Sequence, residues 1–194
     1  SVDTPGGQVA PVLTGEFTDR RLLRRLARGA SVVTFDWENV PVEPLRALAG
    51  RVAIAPPLAA LAVAQDRLSE KRLFGKLHIP TNRYAPVDSA RQLERAFGQI
   101  GPGVLKTRRL GYDGKGQWLI NTEQELDALL DDTDFIKHEG SGFVIESVID
   151  IAMEVSCIVA RNPAGKDYVY PVFENMHKNH ILDFTVFPAR LPLD

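Results

Sequence analysis

The sequence predicts an α/β fold in which a partial N-terminal βαβ unit precedes a hairpin-bearing domain, and three observations carry that reading. Short apolar runs with strand character at 31–35, 84–87 and 143–146 are interleaved with amphipathic stretches that open on Ser, Thr or Asp, the pattern of strands alternating with capped helices. Residues 104–120 are two apolar runs joined by glycines, cations and one Asp, which reads as a β-hairpin with Asp113-Gly114 as its turn. Pro56-Pro57 punctuates the chain after the first unit and marks a domain junction. The expected organisation is 1–57 as a partial N-terminal domain, 58–145 as helices plus the hairpin domain, and 146–194 as the start of a larger one.

In order, residues 8–13 are expected to form a strand. Thr18 or Asp19 then caps a helix with Leu22, Leu23 and Leu26 as its apolar stripe and Gly29 as its end. Arg20, Arg21, Arg24, Arg25 and Arg28 fall on its outer, solvated face. Residues 31–35 follow as a buried strand, so strand, helix and strand make a βαβ-type unit whose strand end is a place for ligands. A short helix at 42–48, a short strand at 52–55 and one or two helices over 58–77 come next, with Arg67 and Lys71 on one face. After a strand at 84–87, Asp88 or Ser89 caps a helix through Phe97. Beyond the hairpin, Thr122 and Glu125 form a capping box ahead of Leu126, Leu129 and Leu130. Strands are expected at 143–146, 153–161, 167–172 and 184–189. The acidic run at 131–134 reads as a helix-end loop.

With 194 residues, 44% hydrophobic and 25% charged, the composition is that of an ordinary globular protein. A formal charge of −2 exerts no overall pull on nucleic acid or anionic membrane, so a phosphate ligand would be met by local cations. No apolar run approaches a membrane span, and the N-terminus has no signal-peptide pattern. The single Cys157 excludes an internal disulfide framework and suits a cytoplasmic setting. Its alternation with Val155 and Val159 makes it a core strand residue.

The hairpin is where chemistry concentrates. Gly111, Gly114 and Gly116 free the backbone N–H groups to approach phosphate oxygens, and Lys106 and Lys115 flank the same space. The loop is not a Walker-type P-loop, because a strand rather than a helix follows it. A glycine-rich hairpin with solvated charges is the alternative. His177 and His180 have an H-x-x-H spacing without a matching third ligand, which suits structure better than a metal site. By spacing alone, Glu146 and Glu154 are strand-edge acids, Arg67 is a helix-surface cation, and Glu38-Asn39 is a strand-exit turn.

Taken together, the segments 33–41, 64–71, 79–81 and 105–117, with Tyr170-Pro171 and then Glu174-Asn175-Met176-His177, resemble the ATP-grasp ligases. Within them the chain is most similar to the 5-(carboxyamino)imidazole ribonucleotide synthetase family of purine biosynthesis. The resemblance implies an ATP-grasp fold with a partial pre-ATP-grasp domain, and an ATP-dependent carbon–nitrogen ligase acting on aminoimidazole ribonucleotide and bicarbonate. It implies nucleotide contacts from Arg67, Lys106, Gly111, Tyr112, Asp113, Gly114, Lys115, Gly116 and Gln117. Further nucleotide contacts would come from Glu146, Ser147, Val148, Ile149, Glu154 and His177. Asp36, where the family commonly has Glu, and Glu38 would touch the ribonucleotide, and Arg161 would lie near the carboxylation centre. ATP and Mg2+ are the implied cofactors, a cytoplasmic homodimer the implied state, with no nucleic-acid or membrane partner. The family's first glycine turn and its carboxylate metal ligands have no counterpart here, so the chain reads as incomplete at both ends, with the metal ligands expected beyond residue 194 and the piece alone inactive. Another carboxylating or formylating ATP-grasp ligase, or a non-catalytic nucleotide-binding module, are the rival readings.

Overall fold

The computed structural model describes residues 4–111, 114–132 and 142–191, and the chain divides into two compact units. The first comprises Ser1–Thr81 with Arg108–Leu110, the second Asn82–Thr107 with Gly111–Asp194.

In the first unit, Thr4 caps a short helix α1 (Pro5–Val9), its hydroxyl accepting from the Gly7 N–H with Pro5 in the first turn. The strand expected at 8–13 is therefore absent. A proline whose missing N–H costs nothing at a helix start, next to a Thr cap, outweighs the local strand-like composition. Helix α2 (Arg20–Ala27) is capped by Asp19, whose carboxylate accepts from the N–H groups of Arg21 and Leu22. The βαβ-type unit lies one element later than expected. Strand β1 (Val32–Val33) pairs parallel with β2 (Ala53–Ile54) across helix α3 (Val42–Arg46). Leu23, Val33, Val40, Leu45, Leu48 and Leu61 form the core, the last of them from α4 (Leu58–Ala64). Asp66 separates α4 from α5 (Arg67–Lys76), accepting from the Ser69 N–H as its N-cap.

The second unit is built on an antiparallel four-stranded sheet in the order β3-β6-β4-β5. Its strands are β3 (Tyr84–Val87), β4 (Gly103–Thr107), β5 (Gln117–Ile120) and β6 (Phe143–Ser147). Helices α6 (Ala90–Ile100), capped by Ser89, and α7 (Glu123–Leu130), capped by Thr122, supply the other half of the core. Thr122 Oγ1 accepts from the Glu125 N–H, while the Glu125 carboxylate accepts from Asn121 N–H rather than from the cap residue's own. The capping box is thus displaced by one residue on its return arm.

Strand alternation decides what the sheet does. Leu105, Phe143 and Ile145 point into the core with Val87, Leu93 and Ile120. Pairing of Lys106 with both Gln117 and Val144, and of Val104 with Glu146, puts Lys106, Gln117 and Glu146 on the opposite face. A one-residue slip of β4 would send Lys106 into the core and Leu105 out, so the apolar pattern locks the register that presents the lysine.

The remaining strands form two smaller sheets. Strand β7 (Glu154–Ser156) pairs with β10 (Phe173–Lys178), which pairs with β11 (Ile181–Val186), and β8 (Val159–Arg161) pairs with β9 (Asp167–Val169). The single strand expected at 153–161 is two strands in two sheets, and β10 has no counterpart in the sequence reading. Cys157 sits at the change of sheet and is exposed, its thiol directed at the Tyr170 carbonyl 3.3 Å away. Its reading as a core residue fails because alternation implies a buried face only where one strand runs on. Among the described residues no helix is long and apolar enough to cross a membrane.

Candidate functional site

The site begins on the sheet face away from the core. Glu146 is only 7% exposed, and a buried carboxylate needs donors. Lys106 Nζ lies 3.3 Å from its Oε2, and Asn82 Nδ2 donates to the same oxygen at 3.1 Å and to the Ser147 carbonyl at 3.0 Å. Val148 and Ile149 follow β6 as exposed apolar residues.

At the far end of β4, the Thr107 N–H donates to the Gly116 carbonyl at 2.8 Å, which closes the hairpin. Gly114 and Gly116 have φ of 77° and 69°, the left-handed region that glycine enters without penalty. At Gly116 space is also short, since a Cβ there would lie 2.7 Å from Thr107 Oγ1. Gly116→Ala is expected to destabilise the chain by about 1–2 kcal/mol from the backbone term alone, read from the shift in its urea midpoint. The turn residues Tyr112 and Asp113 lie outside the described residues.

Beside the hairpin is a cleft of about 720 Å³. Gly114 and Gln117 line it from the hairpin, Ile151 from the approach to β7 and Glu154 from its first position, and His177, Asn179 and His180 from β10 and its turn. Gln117 pairs with Lys106 in the sheet, so the cleft adjoins the face carrying Lys106 and Glu146. The pairing of β10 with β11 shifts register between Met176 and His177, with Asp183 of β11 as the extra residue. His177 Nδ1 lies 2.8 Å from Glu154 Oε2. The pairing of Asn175 with Glu154 across the strands makes this contact possible, and no local pattern foretells it.

Four residues expected at the site, Gly114, Gln117, Glu154 and His177, thus line one cleft. Arg67, Asp36 and Glu38 belong to the first unit. Arg67 is the first residue of α5, its N–H donating to the Arg108 carbonyl at 3.0 Å. Glu38 accepts from the side chain of Asn39, and Gln65 Nε2 holds the Glu38 and Val40 carbonyls at 2.8 Å each, which fixes the exit from β1. Arg161 is not among the cleft-lining residues; its guanidinium is engaged by Asp167 across the β8–β9 hairpin.

Sequence reasoning missed three features. Asn82 precedes β3 and has no motif. Asn179-His180 is a turn signal only once β10 and β11 are known to flank it. Glu174, an isolated acid in sequence, is 5% exposed and accepts from Arg190 through its N–H and guanidinium. The Arg190 hydrogen bonds hold its carboxyl below the usual carboxylate range, so this tie is present at neutral pH and lost in acid. Among the described residues no group of three or more His, Cys, Asp or Glu is arranged to hold a metal.

The family model of the ATP-grasp domain matches residues 72–194, and that of the ribonucleotide synthetase pre-ATP-grasp domain matches residues 1–65. The chain is 35% identical over 189 residues to the N5-carboxyaminoimidazole ribonucleotide synthase of Brucella melitensis, covering 96% of this chain and 51% of that protein. It superposes with a TM-score of 0.85 and 40% identity on the N5-carboxyaminoimidazole ribonucleotide synthetase of Thermus thermophilus, covering 98% of this chain and 50% of that one. The Staphylococcus aureus synthetase complexed with ADP matches with a TM-score of 0.84 and 32% identity, over 92% and 47% of the two chains. The chain spans about half the length of the curated relatives it matches. With the two family models accounting for nearly every residue, and the glycine hairpin, Lys106 and the cleft in one ATP-grasp frame, the chain belongs to the ATP-grasp family, with a ribonucleotide synthetase pre-ATP-grasp domain preceding its ATP-grasp domain.

Proposed function

We propose that the chain is part of an ATP-dependent carbon–nitrogen ligase that carboxylates 5-aminoimidazole ribonucleotide with bicarbonate in purine biosynthesis. The observation that carries the reading is the glycine hairpin and the Glu154–His177 pair on one cleft, beside the face carrying Lys106 and Glu146. The names of the relatives and the ADP bound by the Staphylococcus aureus synthetase support it.

In this reading the nucleotide lies along the cleft. Lys106 meets α- and β-phosphate oxygens as a point charge, and the backbone N–H groups of the 111–117 loop donate to the phosphates from above. Glu146, Ser147, Val148 and Ile149 present backbone groups and an apolar wall to adenine, and Glu154, oriented by His177, accepts from the ribose hydroxyls. Arg67 adds a cation, Asp36 and Glu38 contact the aminoimidazole ribonucleotide, and Arg161 serves the carboxylation centre. ATP phosphorylates bicarbonate to carboxyphosphate, whose breakdown gives phosphate and carbon dioxide, and the exocyclic amine of the ribonucleotide takes up the carbon. The chain's own share is to hold charge and geometry, which is most of phosphoryl-transfer catalysis. Magnesium belongs to the reading, although among the described residues no group of three or more His, Cys, Asp or Glu is arranged to hold a metal.

Residues 1–57 serve in this reading as the substrate-side domain, 58–145 as linker and lid, and 146–194 as the start of the large domain, within a cytoplasmic homodimer. The test is phosphate release by the full-length protein with ATP, magnesium and bicarbonate. Release should be stimulated by aminoimidazole ribonucleotide and not by biotin or glycinamide ribonucleotide. Stimulation by either of the others would replace the acceptor, and ADP that fails to bind would remove the nucleotide site.

A further inference from the structure

His180 stands in a backbone conformation that a side chain disfavours, and what its ring touches gives the reason. Lys178 pairs with Ile181, so Asn179 and His180 alone join β10 to β11, with φ of 53° and 63°. Two consecutive positive φ angles make a type I′ turn, whose second place suits glycine. Local strain of this kind persists where the surroundings require it, and it collects at functional sites.

The surroundings here are the glycine hairpin. A Cβ at Gly114 would lie 2.8 Å from His180 Cδ2 and 3.0 Å from its Cγ. The imidazole therefore fills the space beside the Gly114 α-carbon that any other residue at 114 would need. Gly114 and His180 line the same cleft as Glu154 and His177. The H-x-x-H spacing thus resolves into two tasks: His177, on the strand, turns to Glu154, while His180, in the turn, lies against the hairpin loop.

We infer that His180 is a positioning residue whose ring rests on the Gly114 backbone and sets where the 114–117 loop stands at the cleft. The consequence for nucleotide binding rests on the proposed function; the contact itself does not. A loop that must aim N–H groups at phosphate oxygens gains from a fixed platform, because donors already in place need no reordering when the ligand arrives. The strained turn conformation is what brings the ring there.

The test is His180→Gly in the full-length protein, a change that removes the ring and relieves the positive φ. A residue that merely made the turn would leave the hairpin loop untouched. Under the inference the melting temperature stays equal or rises. Meanwhile the amides of 114–117 exchange with solvent roughly 3- to 10-fold faster, the range for loss of one contact. Exchange across β10 and β11 stays as in the wild type. Unchanged exchange at 114–117, or wild-type amides already exchanging at the unprotected rate, would overturn the inference. A second arm compares Gly114→Ala in the two backgrounds. The added methyl should cost less stability when His180 is Gly, and an equal cost would overturn the contact. Titration with ADP then separates the two claims. Weaker binding by His180→Gly supports the positioning role, and unchanged affinity with a loosened loop overturns it. Absence of ADP binding by the wild type would overturn the nucleotide reading and, with it, the binding consequence drawn for His180.

Discussion

Asp66→Ala is expected to lower the stability of the chain by about 2–4 kcal/mol, because one buried carboxylate carries two jobs. Asp66 is 3% exposed. It accepts from the Ser69 N–H at 3.0 Å as the N-cap of α5, and from Arg108 Nε at 3.2 Å and Nη2 at 2.6 Å, with Arg109 Nε 3.5 Å away. Losing a cap costs about 1 kcal/mol, and losing charge-assisted hydrogen bonds about 1.5–3 kcal/mol. Arg108 keeps a quarter of its side chain in water, so its stranded charge is partly resolvated and the total stays below the sum for a fully enclosed pair. Asp66→Asn retains a capping oxygen and should recover about 1 kcal/mol of the loss. Urea unfolding of the three proteins checks the order.

The same carboxylate makes a pH prediction. Burial pushes the Asp66 carboxyl up, but the hydrogen bonds from Arg108 and from the Ser69 N–H outweigh it and hold the group below its ordinary value. A depressed folded value means that the unfolded chain binds the proton first as pH falls. The stabilisation is therefore complete above the unfolded carboxylate range, near about pH 4, and is lost as pH drops through the lower folded value. The wild type should lose its advantage over Asp66→Ala across that acid window, and a difference that stays constant down to pH 2 would contradict the assignment.

Lys106→Ala is expected to weaken ADP and ATP binding about 10- to 100-fold, the 1.5–3 kcal/mol that a hydrogen bond to a charged group is worth. Lys106 points away from the core because its neighbours Leu105 and Thr107 point into it. Its ammonium rests 3.3 Å from Glu146 with roughly a quarter of the side chain exposed. Truncation leaves Glu146, a buried carboxylate, with the Asn82 amide as a donor, so the fold should lose about 1–3 kcal/mol, the cost of taking one partner from a buried acceptor. Calorimetric titration and thermal melting separate the effect on the ligand from the effect on the fold. An unaltered nucleotide affinity would take Lys106 out of the site.

Which parts of this molecule are legible in its sequence follows from the range of the forces that make them. Helix starts at Asp19, Ser89 and Thr122 are determined within four residues, because the capping side chain and the N–H groups it satisfies are neighbours in the chain. The glycine hairpin is equally local, and the face Lys106 takes follows from the period of the strand around it. Even α1 is a local feature, its Thr-Pro start outweighed in the sequence reading by apolar residues further on. The tertiary structure alone decided the rest. Strand β10 exists because β7 and β11 supply its hydrogen bonds, and a strand held by distant partners leaves little trace in its own composition. Cys157 is exposed because the chain changes sheets there, although alternation suggests one strand. Glu154 meets His177 across 23 residues through the pairing of β7 with β10, and His180 meets Gly114 across a longer span through a strained turn. Residue types and spacings therefore determined the glycine hairpin and the face its lysine takes, while the cleft beside them was set by strand pairings whose partners lie far apart in the chain, where no periodicity reaches.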